Sequence, residues 1–79
     1  MTATLRLDAA QLSALRTFLS MAEQQMHQLA GECDGMSQMA QNAESRARYA
    51  DLAVEYRRQM IEARDLIKLA YAAACEAAA

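Results

Sequence analysis

A chain of 79 residues with a net charge of −2, two cysteines, one histidine and no proline leaves few function classes open. Two cysteines do not make a disulfide framework, His27 alone does not make a zinc site, and the slight acidity argues against a general nucleic-acid or anionic-membrane binder. A single domain of this size buries only about 60–65% of its unfolded surface, so oligomerisation or a partner is the remaining means of stabilising it.

Alanine, Leu, Met, Gln, Glu and Arg dominate the chain and β-branched residues are few. These are strong helix formers, and an all-α fold follows, organised as one domain over residues 1–79. Residues 1–7 read as an extended arm. They lack a basic stretch followed by an apolar one, so no signal peptide is expected, and the location expected is cytoplasmic. The longest apolar run, Leu69 to Cys75, is too short to span a bilayer, so no membrane association is expected.

Asp8 starts the first helix. Gln11 stands three residues later in the capping-box arrangement, and Leu7 and Leu12 occupy the hydrophobic-staple positions around the cap. Leu12, Leu15, Leu19, Ala22, Met26 and Leu29 then repeat at alternating spacings of three and four, with Phe18 and Met21 widening the seam. Gly31 suits the position just past a helix end, Gly31 to Gly35 reads as a tight connection, and Asp34 is a candidate cap for the next helix. The short helix is therefore expected over about 8–30 and the long one over about 36–76, packed as an antiparallel helical hairpin. A bend near residues 42–45, giving three helices, is the alternative.

Glu44, Arg48, Asp51, Glu55, Arg58, Glu62 and Asp65 recur at spacings of 4, 3, 4, 3, 4 and 3 and mark the wet side of the second helix. Opposite them lie Met39, Arg46, Ala53, Met60, Ile67 and Ala74 at one seam position, and Asn42, Tyr49, Tyr56, Ala63 and Ala70 at the other. The apolar arc covers roughly 220° of the wheel. Helices of about 33 Å and 60 Å would leave the end of the longer one uncovered. The expected remedy is dimerisation into a four-helix bundle. The uncovered end, with Tyr56, Arg57, Met60, Ile61, Arg64, Leu66, Ile67, Leu69 and Tyr71, is the expected partner or dimer interface.

Other residues bear on function less. Cys33 and Cys75 sit near opposite ends of the second helix and are expected as free thiols. Tyr49 and Tyr56 are read as hairpin packing. Arg46, Arg57, Arg64 and Lys68 form a basic strip that suits a protein interface, or a phosphate track without aromatic platforms beside it. Met21, Met26, Met36, Met39 and Met60 suit either a core or an adaptable contact surface. No glycine-rich phosphate loop, no His–carboxylate–nucleophile set and no metal-ligand cluster is visible, so no enzyme, cofactor or metal is expected.

In size and helical class alone the chain resembles bacterial secretion co-chaperones and phage-encoded inhibitors of host proteins. That resemblance implies a non-enzymatic module that binds and modulates another protein, inhibiting or chaperoning it. A self-assembling structural oligomer and a nucleic-acid-associated regulator using the arginine strip are the alternatives.

Overall fold

The computed structural model describes residues 6–78, which form two antiparallel helices, α1 over Ala9–Met39 and α2 over Ala43–Ala78. The arm expected over residues 1–7 lies mostly outside the described residues; Arg6 and Leu7 precede α1 without regular structure. The start of α1 is as the sequence specifies. Asp8 Oδ1 accepts from the Gln11 N–H at 2.8 Å, and Gln11 Oε1 accepts from the Asp8 N–H at 3.0 Å. Two of the helix's otherwise unpaired N–H groups are thereby satisfied.

The connection is not where the glycines suggest. Gly31 and Gly35 lie inside α1, and neither has a positive φ. A glycine costs a helix interior only about 1 kcal/mol relative to alanine. The seam on α1 offsets that cost, because Cys33 and Ser37 extend its three-four spacing and are both half-buried. The chain turns at Ala40–Asn42 instead. Ala40 adopts φ −66° and ψ 137°, which ends α1. Asn42, rather than Asp34, caps the next helix: its Oδ1 accepts from the Ser45 N–H at 2.7 Å. Arg46 and Ser37 clip the corner shut. Arg46 Nε donates to the Ala40 carbonyl at 3.0 Å, and Ser37 Oγ donates to the Arg46 carbonyl at 2.9 Å.

Moving the turn changes the length balance. α1 has 31 residues and α2 has 36, or about 46 Å against 54 Å. α1 now covers α2 almost to its end: Arg16 stacks over the Tyr71 ring at 4.5 Å, and Leu12 and Ala70 are buried at the far end of the hairpin. The uncovered stretch expected from residue 60 onward is therefore absent.

The deficit of cover is lateral instead. Two helices side by side form a layer of 56 × 28 × 14 Å with a radius of gyration of 16.9 Å, against about 12 Å for a compact chain of this length. Among the described residues only Leu12, Ala30, Ala53, Ala63 and Ala70 are buried. The accessible surface is 6284 Å², roughly 1,500 Å² more than the ~4,700 Å² expected of a compact monomer of 8.7 kDa. No helix among the described residues is long and apolar enough to cross a membrane.

Candidate functional site

The inward side of each helix follows the sequence seams. On α1 it carries Leu12, Leu15, Leu19, Ala22, Met26 and Leu29; on α2 it carries Tyr49, Ala53, Tyr56, Met60, Ala63, Ile67, Ala70 and Ala74, all of them buried or half-buried. Arg46 and Asn42 share that register but are exposed at the turn.

One broad face of the layer is polar. Arg57 pairs with Asp34, and Arg64 Nε donates to Glu23 Oε1 at 2.9 Å, so both arginines bridge the helices on the side where Arg16 meets Tyr71. At 100° per residue, Arg46 and Lys68 fall on the same flank of α2. Five cations thus share a face with two carboxylates, leaving it net positive. Arg57 lowers the Asp34 carboxyl below its ordinary value, by hydrogen bonding first and charge second.

The other broad face is apolar. The same 100° periodicity places Phe18 and Met36 of α1 and Leu52 and Leu66 of α2 there, with the half-buried seam residues Leu15 and Leu29 at its inner margin. Phe18 is 66% exposed, Leu66 50%, Met36 48% and Leu52 40%. Gln11, Gln25 and Gln59 lie among them, and the charge nearest the middle of the flank, Arg48, is bonded to Glu44. A third surface runs along the outer edge of α2, where Val54 and Ile61 are exposed one heptad apart.

The nine residues expected as one interface are therefore dispersed. Tyr56, Met60 and Ile67 face α1. Arg57, Arg64 and Tyr71 lie on the polar face. Ile61, Leu66 and Leu69 are exposed but point to three different flanks. Phe18, Leu15, Leu29, Met36 and Leu52 were not among the nine. The signal for them was present: Phe18 widens the α1 seam, and Leu52 and Leu66 form one shoulder of the α2 seam.

The charged stripe of α2 lies in water, with Arg58 bonded to both Glu55 and Glu62. Arg58 first, then Gln59, holds the Glu55 carboxyl down at about 2 from its ordinary 4.5. A carboxylate lowered on folding stabilises the fold above its unfolded value and loses that contribution as pH falls through its folded value. Melting temperature should therefore be level above pH 5 and decline as pH falls from about 4.5 toward 2, with Asp34 contributing in the same direction. The effect is small for exposed pairs. Thermal melts of the chain and of Glu55→Gln check it; a variant that declines as steeply as the parent contradicts the assignment to Glu55.

Among the described residues no group of three or more His, Cys, Asp or Glu could hold a metal ion, and Cys33 and Cys75 are free thiols. Cys33 lies within α1, not in the connection where the sequence placed it. The depressions are open. One of about 390 Å³ lies beside Arg16, Ser20 and Ile67; another, beside Glu23, His27 and Arg64, is smaller at about 220 Å³. Glu23 in the second is already bonded to Arg64.

No family model, no curated protein and no solved structure matches this chain. Its surfaces alone carry the functional reading.

Proposed function

We propose that the chain is a non-enzymatic protein-interaction module that works as a homodimer and modulates a partner protein, as an inhibitor or a chaperone, through helix packing. The observation that carries this reading is the amount of apolar side chain left in water on two separate surfaces. Phe18 and Leu66 are exposed on the broad face, and Val54 and Ile61 on the edge of α2. Monomeric proteins rarely leave contiguous apolar area of this kind uncovered, and where they do it commonly marks an interaction site. The edge stripe is bordered by Arg57, Arg64 and Lys68, a pairing of apolar anchors with arginine that recurs at protein interfaces.

Two other readings compete. A second apolar surface on each dimer could join dimers head to tail into an open structural oligomer. The net positive face could take a nucleic acid, although Asp34 and Glu23 already neutralise two of its arginines. The test uses the chain as bait in an extract of its native host. A stoichiometric partner should be retained by the wild type and lost by Val54→Asp/Ile61→Asp, with the mass of the bait assembly unchanged. Absence of any retained protein overturns the reading. Light scattering that climbs with concentration would then favour the structural oligomer. Binding of a mixed-sequence oligonucleotide with a steep salt dependence would favour the regulator.

A further inference from the structure

We infer that the apolar broad face, with Phe18 and Leu66 at its far end and Met36 and Leu52 toward the turn, is the seat of a second copy of this chain, packed face to face into a four-helix bundle. The inference rests on the homodimer reading above and assigns the surface that reading leaves open.

Shape is the first argument for a second copy. The hairpin is 56 Å long, 28 Å wide and only 14 Å thick. A copy of itself matches its length and width, and stacking doubles the thickness toward the width, which is the square section of a four-helix bundle. Area is the second. Bringing two hairpins to the compactness of one domain of twice the mass would bury roughly 4,700 Å² in total. Obligate homodimer interfaces run to about 2,000–5,000 Å².

Charge chooses the face. On the polar side Arg16, Arg46, Arg57, Arg64 and Lys68 outnumber Glu23 and Asp34, so stacking two copies through it would oppose like charges. The apolar side presents leucines, Phe18, Met36 and the uncharged Gln11, Gln25 and Gln59. The charges on its α2 flank, Arg48 and Glu55, are of opposite sign and already bonded to Glu44 and Arg58, so the face meets its own copy without that excess of one sign. The ion pairs Asp34–Arg57 and Glu23–Arg64 then remain at the outer surface, where they are already half-exposed. Val54 and Ile61 stay on the outer edge and free for a partner.

Two measurements test the assignment. In sedimentation equilibrium the wild-type chain should be a dimer. Phe18→Glu/Leu66→Glu should weaken it by at least about 30-fold, the loss expected when large apolar anchors are replaced by charge, whereas Val54→Glu/Ile61→Glu should leave it intact. Hydroxyl-radical footprinting of the wild type keeps the test valid even if a variant fails to fold. Leu66 and Ile61 are equally exposed in the hairpin, at 50% and 51%. In the dimer, Leu66 should be labelled several-fold less than Ile61. A dimer that survives the Phe18/Leu66 change, or that protects Ile61 and not Leu66, overturns the assignment of the face and leaves the homodimer reading standing. A wild-type monomer overturns both.

Discussion

Replacing Ala53 with leucine should destabilise the hairpin by about 1–3 kcal/mol, the usual cost of forcing methylenes into a packed contact. Ala53 and Ala30 are each 1% exposed and sit at about the same distance from the Ala40–Asn42 turn. Ala63 and Ala70 continue the contact at 7% and 6%. Alanine at these levels lets the two backbones approach closely, and the larger seam residues (Tyr49, Tyr56, Met60 and Ile67) fill the space beside the contact and are half-buried. A leucine at Ala53 must fit where the alanine is already 1% exposed, on a level with the equally buried Ala30 of α1. The helices must part locally, and the side chains beside the contact lose packing. For a domain of this size the change corresponds to a fall of roughly 4–24 °C in Tm, read in a thermal melt. Val54→Leu, one residue away on the exposed edge, should leave Tm within about 4 °C, because surface substitutions usually fall within ±0.5 kcal/mol. Equal effects at the two positions would contradict the alanine contact.

Replacing both Gly31 and Gly35 with alanine should have the opposite sign. Each glycine lies in the interior of α1, with no positive φ and, apart from its chain neighbours and the helix's own backbone, with nothing within 4 Å of where a Cβ would stand. Alanine removes backbone freedom from the unfolded chain and adds no clash, which is worth about 0.4–1 kcal/mol per site. Together the two should raise Tm by roughly 3–16 °C. The experiment also separates two architectures. If the chain turned at Gly31–Gly35, a glycine there would hold a left-handed conformation that alanine tolerates poorly, and the double variant would lose stability. A gain places the turn at Ala40–Asn42.

Much of this fold was legible in the residues. The Asp8–Gln11 capping box formed as written, and the seams from Leu12 to Leu29 and from Tyr49 to Ala74 face each other. These features depend on local spacing, which sequence displays directly. The turn was misplaced because two glycines were weighed as breakers, whereas the helix they interrupt had a continuing seam through Cys33 and Ser37 to bury. The better signal was quieter. Asn42 is a good N-cap, and its partner is the N–H of Ser45 three residues on. The candidate site suffered from the same slip. With α1 ending near residue 30, the end of α2 stood bare and the interface was drawn along its length. With α1 ending at Met39, the bare surface becomes a face shared by both helices, and Phe18 and Met36 join Leu66 on it. Such a surface belongs to neither helix alone, so no single-helix wheel could outline it. The cross-helix pairs Asp34–Arg57 and Glu23–Arg64, which reveal which face is polar, also depend on the relative register of α1 and α2.

A layer this thin is expected to pair with a second copy, and the mass of the unmodified chain in solution decides whether it does. Sedimentation equilibrium at micromolar concentration should give about twice the 8.7 kDa chain mass, with no further growth on concentration. A cooperatively folded species at 8.7 kDa across the same range would contradict it.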